Sequence, residues 1–279
     1  NINNKELTKA AKYRYLLYGW VTESDIPFAG IAQTAGNPEI FIRIDKSADL
    51  AHKNDLFSFS INTIGDFKIG THEIMVNPYH DVLKTCPFIL GTAFGALILK
   101  RKMLVLHGSA IQFKGEAVIF SGPSGAGKST LAAAFIKKDL MILSDDVCVV
   151  SIDGIPRVHP SYPQLKLWLD SSDNMNVGWQ EKNKTVLNED KFSYSVSKHF
   201  CPDLQPLKNL YVIHRDRSEF AIQEVKGMEK FDLLAAQTYR PGLVQKMNLE
   251  KEHFEQITLL AEKIKVFNLY YPGNFDKID

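Results

Sequence analysis

The sequence has few cysteines, no excess of charge of either sign and no long apolar segment. Its three cysteines, Cys86, Cys148 and Cys201, are not clustered, which excludes a disulfide framework and a CxxC metal site and indicates a reducing compartment. The 33 basic and 32 acidic residues nearly cancel and form no long run of like charge. We therefore expect no nucleic-acid partner and no binding to an anionic membrane surface.

The most apolar segment covers residues 87–99, which is short for a membrane span, since a spanning helix needs about 20 residues. We expect this segment to be a buried helix in the core. The first residues, Asn1-Ile-Asn-Asn-Lys5, contain no apolar signal-peptide core. These features together predict a cytoplasmic protein that is not attached to a membrane.

The hydrophobic pattern changes near residue 100. Residues 1–100 predict a β-rich N-terminal region with a linking helix near 81–100, because short aromatic and β-branched runs alternate with Gly, Pro, Asn and Asp. The predicted strands of this region lie within residues 13–21, 39–44, 56–61 and 67–69. Residues 101–279 predict an α/β domain, in which apolar strand-like runs are followed by helical patterns.

Within the second region, a polar and irregular stretch between about 170 and 200 predicts a loop or lid. The other segments predict strands and helices. The predicted strands are 103–106, 109–113, 117–120, 140–143, 147–152 and 210–213, and the predicted helices are 130–137, 231–237 and 251–262.

The most specific motif is Gly122-Pro-Ser-Gly-Ala-Gly-Lys-Ser129, which matches the phosphate-binding pattern GxxxxGK[ST]. It lies between a predicted strand and a predicted helix, the context that its chemistry requires. In such a loop the backbone N–H groups face phosphate oxygens, Lys128 reaches the β- and γ-phosphates, and Ser129 binds Mg²⁺. The motif predicts a nucleoside triphosphate site formed by Gly122, Pro123, Ser124, Gly125, Ala126, Gly127, Lys128, Ser129 and Thr130.

Two carboxylates, Asp145 and Asp146, follow a buried strand soon after this loop. Carboxylates at such a position can orient Mg²⁺ or accept a proton from an attacking hydroxyl. A transporter ATPase would also need a Leu-Ser-Gly-Gly-Gln segment, and a GTPase would need Asn-Lys-x-Asp; the sequence contains neither. The short spacing between loop and acids favours a kinase.

Three elements in register, His107-Gly108, the motif 122–129 and Asp145-Asp146, resemble the catalytic domain of bacterial HPr kinase/phosphorylase. The resemblance covers roughly residues 103–170 well and implies an α/β fold with an HPr-kinase-like P-loop core, here joined to the β-rich N-terminal domain. It implies ATP or GTP and Mg²⁺ as cofactors, and it allows a homo-oligomer.

By this resemblance, Asp145 is the general base, His107 orients it, and Ser129 and Asp146 hold Mg²⁺. Ordinary phosphate-loop logic gives the opposite division, with Asp145 on the metal side, and the sequence leaves both open.

The sequence departs from the family where a Glu-Ile-Arg-Gly element is expected. Gln164-Leu-Lys166 stands at a similar distance, so Lys166 is either a replacement for the arginine or a strand-edge lysine. Downstream, Arg240 is either a charge-stabilising arginine near the phosphates or a cation at a helix C-terminus before Pro241. His159 and the pair His214-Arg215 are further candidates for the acceptor side.

These departures make the chain look more like the HPr-kinase-related proteins encoded with peptide natural products, and most like the lasso-peptide precursor kinases. The expected function is transfer of the γ-phosphoryl group of ATP to a serine hydroxyl of a peptide or small protein. A kinase of a small-molecule hydroxyl and a nucleotide-binding regulatory protein are the alternatives.

Overall fold

A computed structural model describes residues 12–45, 55–168, 182–184, 191–215 and 219–272. Over these residues the chain is a mixed α/β protein with a six-stranded, a seven-stranded and a three-stranded sheet.

The six-stranded sheet is built from the N-terminal strands in the order β1-β2-β3-β6-β5-β4. Its strands are β1 Tyr13–Leu17, β2 Trp20–Ser24, β3 Ile40–Ile44, β4 Phe57–Ile61, β5 Gly65–Ile69 and β6 Glu73–Pro78. The β-rich character predicted for this region is present, but the run 13–21 forms two strands instead of one. Tyr18 and Gly19 both have positive φ (54° and 85°), which turns the chain into a hairpin at that point.

Helix α1, Val82–Lys100, follows this sheet and covers the stretch near 81–100 that was predicted to be helical. By length and composition it could cross a membrane, but 78% of its apolar stretch is buried inside the protein. Its central turn, Ile89–Ala93, is a π-helix. The helix is apolar on all sides because it packs between the six-stranded sheet and the rest of the chain.

Replacing Leu97 with alanine is expected to lower the free energy of unfolding by about 2–5 kcal/mol, because Leu97 is fully buried in α1 and its removal leaves a cavity. Leu83→Ala is the matched control on the same helix. Leu83 is 40% exposed, so its loss should change the free energy by no more than about 0.5 kcal/mol. Urea unfolding of both variants measures the difference, and equal effects would contradict this account of α1.

The seven-stranded sheet has the order β10-β9-β7-β8-β14-β16-β15, and β10 also pairs with the start of β14. Strands β8, β14 and β16 are parallel, and the other pairs are antiparallel. The strands are β7 Leu104–Phe113, β8 Glu116–Ser121, β9 Met141–Ser151, β10 Arg157–His159, β14 Gln205–His214, β15 Ala221–Val225 and β16 Lys265–Tyr270.

Two strands of this sheet each join two segments that were predicted as separate strands. The predicted strands 103–106 and 109–113 form the single strand β7, and those at 140–143 and 147–152 form β9. Asp145 and Asp146 therefore lie inside a strand and not at its end. The register between β7 and β9 shifts next to Ala110, and Asp146 has φ 73°, so the ladder continues past the acids with a local irregularity.

Among the described residues of the second region there are four α-helices, α2 Lys128–Lys137, α3 Gly227–Ala236, α4 Pro241–Lys246 and α5 Glu250–Lys263, and a short 3-10 helix, Ser197–His199. Two parts of the stretch predicted as a loop or lid near 170–200 are strands, β12 Lys182–Lys184 and β13 Lys191–Ser195, which form a three-stranded antiparallel sheet with β11 Gln164–Trp168. Residues 169–181 and 185–190 lie outside the described residues.

One hydrophobic cluster joins the two regions. It contains α1 and the inner face of the six-stranded sheet together with Val105, Val147, Tyr162 and Tyr239. These residues come from β7, β9 and the segments beside β11 and α4. The N-terminal sheet therefore packs behind the same strands that carry the candidate site.

Candidate functional site

The segment of residues 122–127, which we call the glycine-rich loop, connects the end of β8 at Ser121 to the start of α2 at Lys128. Gly122 has φ 139°, and a Cβ there would lie 2.9 Å from the carbonyl oxygen of Ile213, so a side chain would not fit. The predicted strand, turn and helix are therefore all present. The predicted residues Lys128, Ser129 and Thr130 form the first turn of α2.

Lys128 is buried against the glycine-rich loop. Its Nζ donates hydrogen bonds to the carbonyl oxygens of Gly122 and Pro123, both at 2.9 Å. The ammonium group is thus held at the mouth of the loop by neutral acceptors. A phosphate oxygen, which carries negative charge, is a stronger acceptor for it.

Asp145 is buried, and three donors fix its carboxylate. The hydroxyls of Ser129 and Ser109 donate to Oδ1 at 2.8 and 2.7 Å, and the backbone N–H of Lys166 donates to Oδ2 at 2.9 Å. The link from Ser129 to Asp145 places a hydroxyl and a carboxylate oxygen side by side at the start of α2. Sequence reasoning did not identify Ser109, because a serine inside an apolar strand gives no local signal of its partner.

The carboxylate of Asp146 contacts a different set of side chains from that of Asp145. Its Oδ1 lies 3.3 Å from Nδ1 of His107, and its Oδ2 lies 3.6 Å from Nζ of Lys166. The structure thus brings His107, Lys166 and Asp146 together.

A cleft of about 540 Å³ opens beside Asp146. It is lined by His107, Asp146 and the first residues of the glycine-rich loop, Gly122, Pro123 and Ser124. The segment 236–240, which ends in Arg240, forms the rest of the lining. Glycine-rich loop, carboxylate and two basic side chains therefore share one solvent-accessible space.

Arg240 lies at the start of a helix, so its interpretation as a helix C-terminal cation is wrong. It precedes α4, where a positive charge gains nothing from the helix dipole, and its backbone is left-handed with φ 48°. Its Nε donates to the hydroxyl of Tyr239 at 3.1 Å. Tyr239 in turn packs over Gly95 of α1, since a Cβ there would lie 3.3 Å from its ring.

The segment that carries Arg240 is tied to β7 and β8 by buried polar contacts. The backbone N–H of His107 donates to the carbonyl of Gln237 at 2.7 Å, and the hydroxyl of Ser121 donates to the side-chain oxygen of Gln237 at 2.8 Å. The N–H of Tyr239 donates to the carbonyl of Val105 at 2.9 Å. These contacts join residues more than 100 positions apart, which no sequence pattern indicates.

Burial has the largest effect on the pKa of His107, whereas neighbouring side chains raise the pKa of Lys166 against the effect of burial. Desolvation and the nearby Lys128 lower the pKa of His107 below its ordinary value, against the opposing effect of Asp146, so the imidazole is neutral at neutral pH. Desolvation also favours the neutral amine of Lys166, but Tyr162, Asp146 and Asp145 outweigh it and raise its pKa above the ordinary value. Lys166 is therefore a cation at neutral pH and lies beside Asp146.

Ser193 extends the polar face on which Lys166 lies. It pairs directly with Lys166 across β11 and β13, so the two side chains project to the same side of that sheet. Within the described part of the chain, its hydroxyl is buried and has no hydrogen-bond partner. Sequence reasoning missed it, because the region was predicted to be irregular.

The other acceptor-side candidates are not among the residues that line the cleft. His159 packs against Trp20 of β2, with ring centres 5.6 Å apart, and contacts the hydroxyl of Ser151. Nε2 of His214 donates a hydrogen bond to Oδ1 of Asn268 at 2.8 Å, and Arg215 donates to the carbonyl of Gly125 in the glycine-rich loop. Across the described ranges, no group of three or more His, Cys, Asp or Glu residues could hold a metal ion.

The thermal stability of the protein is expected to fall as the pH drops below about 6.5. Burial lowers the pKa of His107, His159 and His253 in the folded state, so the unfolded chain binds more protons in that range. The contribution of these histidines to stability is complete above their pKa in the unfolded chain. It is lost as the pH falls through their lowered pKa in the folded protein. Unfolding midpoints between about pH 5 and pH 8 measure it.

A histidine variant sharpens this measurement. His159→Gln should make the acid-side decline shallower, because it removes one of these buried imidazoles. A midpoint that stays constant or rises as the pH falls would contradict the prediction.

No protein-family model matches this sequence, and no curated protein sequence is significantly similar to it. Among solved structures, the HPr(Ser) kinase/phosphatase from Coxiella burnetii is similar with a TM-score of 0.30 and 9% sequence identity. The match covers 60% of this chain and 85% of that protein. This is a distant likeness of part of the fold.

Proposed function

We propose that the protein is a phosphotransferase that moves the γ-phosphoryl group of ATP to a hydroxyl group. The observation that carries the proposal is the placement of Asp146 in the same cleft as the glycine-rich loop, with His107 and Arg240 around it. Loop and lysine would hold the triphosphate, and a carboxylate with access to solvent would receive the proton of the acceptor. Phosphoryl transfer needs little more than such positioning and charge neutralisation.

The residues around Ser129 fit a magnesium ion in their chemistry. Mg²⁺ prefers oxygen ligands, and the Ser129 hydroxyl and the Asp145 carboxylate lie together beside the lysine that would bind phosphate. When bound, the ion would neutralise charge on the triphosphate. The proposal includes GTP as an alternative phosphoryl donor to ATP.

The contacts support Asp146 as the general base and Asp145 as the metal-side carboxylate. This is the division given by ordinary phosphate-loop logic, and it differs from the one implied by the family resemblance. Three donors, one of them the Ser129 hydroxyl, already hold Asp145, and it is buried. Asp146 faces the cleft, where an acceptor hydroxyl would arrive.

The remaining basic residues would divide the electrostatic work. Neutral His107, whose Nδ1 can donate to the backbone carbonyl of Asp146 at 3.1 Å and lies 3.3 Å from its Oδ1, would hold Asp146 in position. Lys166 would keep Asp146 in place and offset the negative charge that collects during transfer. Arg240, which lines the same cleft, is a cation that would offset charge on the transferred group.

For the acceptor we propose a serine of a peptide or small protein, in particular of a ribosomal natural-product precursor. This step rests on the sequence resemblance to HPr-kinase-related peptide kinases. A cleft that opens to solvent would admit an extended chain. Cytoplasmic location and assembly into homo-oligomers are part of the same proposal.

Incubation of the purified protein with ATP, Mg²⁺ and a serine-containing precursor peptide tests the proposal. We expect the mass of the peptide to increase by one phosphoryl group, and a peptide with its serines replaced by alanine serves as the control. If the protein transferred the phosphoryl group only to small hydroxyl compounds, the acceptor would be a small molecule and not a peptide. If the protein bound ATP but transferred phosphate to neither acceptor, it would be a nucleotide-binding regulator and not a kinase.

A further inference from the structure

Two side chains contact the glycine-rich loop beyond the part that lines the cleft. Arg215 directly follows β14 and Tyr271 directly follows β16, and these two strands are parallel neighbours. The backbone N–H of Tyr271 donates to the carbonyl of His214 at 3.0 Å, which fixes the two strand ends together. Both side chains therefore approach the loop from one rigid edge of the sheet.

Each of these side chains occupies a carbonyl oxygen of the loop. The hydroxyl of Tyr271 donates to Ala126 at 2.9 Å, and a guanidinium nitrogen of Arg215 donates to Gly125 at 3.0 Å. The guanidinium carbon lies 5.9 Å from the centre of the Tyr271 ring. Gly127 makes room for this arrangement, because a Cβ there would overlap with the Tyr271 hydroxyl.

The loop is thus held at four carbonyls by three side chains. Lys128 occupies those of Gly122 and Pro123, while Arg215 and Tyr271 occupy those of Gly125 and Ala126. A phosphate-binding lysine reaches the β- and γ-phosphates, so Lys128 would give up its carbonyl contacts when nucleotide binds. The contacts of Arg215 and Tyr271 do not compete with phosphate in this way.

We infer that Tyr271 and Arg215 are positioning residues that keep the glycine-rich loop in its binding shape and thereby set the affinity for nucleotide. The inference rests on the proposed function. Fixed outward carbonyls orient the peptide planes of the loop, and the opposite ends of those planes carry the N–H groups that receive phosphate. A loop that must be ordered by the ligand binds it more weakly.

The test is binding and turnover of MgATP by Tyr271→Phe, which removes one hydroxyl and keeps the ring. We expect the dissociation constant for MgATP, measured by calorimetry, and the KM for ATP to rise roughly threefold to tenfold. The value of kcat at saturating ATP should stay within about twofold, because the hydroxyl does not touch the reacting groups. Arg215→Met should act in the same direction and serves if the first variant fails to fold.

Tyr211→Phe is the matched control. Tyr211 lies on β14 and stacks on Phe120 and Phe267, so its hydroxyl can be removed without touching the loop. This variant should bind MgATP as the unaltered protein does. Unchanged affinity in Tyr271→Phe, in a protein that binds MgATP, would overturn the inference alone. Absence of MgATP binding by the unaltered protein would overturn both the inference and the proposed function.

Discussion

Replacement of Asp146 by asparagine is expected to lower kcat by about a hundredfold to ten-thousandfold, the contribution of a positioned general base. Asparagine keeps the size and can still accept a hydrogen bond, but it cannot take a proton from the acceptor hydroxyl. The dissociation constant for MgATP should change little, because the glycine-rich loop, Lys128 and Ser129 are unaltered. Single-turnover transfer to the peptide and calorimetric ATP binding measure the two quantities separately.

Asp153→Asn is the control for this variant, since Asp153 is an exposed acid in the turn after β9. It loses the same charge away from the cleft and should retain normal turnover. Loss of ATP binding together with turnover in Asp146→Asn would contradict the base assignment, because it would place Asp146 in the nucleotide or metal site.

Replacement of Asp145 by asparagine is expected to raise the Mg²⁺ concentration needed for half-maximal activity by about tenfold to a hundredfold. The amide removes the negative charge beside Ser129. It also turns an NH₂ group toward one of the donors that now meet a carboxylate, either a serine hydroxyl or the N–H of Lys166. The free energy of unfolding should therefore fall by about 1–3 kcal/mol. Magnesium titrations of activity and urea unfolding measure the two effects.

Ser109→Ala provides a graded control for Asp145. It removes one of the three donors and leaves the carboxylate charge, so the magnesium requirement should shift less than in Asp145→Asn. If Asp145→Asn instead abolished transfer at every magnesium concentration while Asp146→Asn shifted the magnesium requirement, the assignment would reverse. The family resemblance would then describe the pair correctly.

Local pattern was sufficient for the elements near the loop. The run after Lys128 has helical spacing and begins directly after a turn, and α1 is apolar on all sides, as a buried helix requires. The local pattern could not show whether neighbouring strand segments are continuous. Around His107 and Asp146 it predicts that a strand ends, because polar residues interrupt an apolar run. In the structure both strands continue through those positions because β7 pairs with β9. A pattern that covers only a few consecutive residues cannot indicate this pairing.

The candidate site was predictable to the extent that its residues belong to motifs. His107, Lys128, Ser129 and the two aspartates stand close in sequence and meet in space, and Lys166 joins them. The residues that hold them do not belong to the motifs: Ser109, Gln237 and Tyr271 act through contacts made by distant segments. Their residue types are common in strands and helices, so only the folded arrangement distinguishes them.

The backbone at two cleft residues has a consequence for protein engineering. Asp146 and Arg240 both have left-handed φ values, 73° and 48°, a conformation that costs most residues about 1–3 kcal/mol. Glycine or asparagine adopts it more easily. Selection for heat resistance alone would therefore draw both positions toward those residues and remove the charged groups from the cleft. A stability-guided redesign of this chain must hold these two positions fixed.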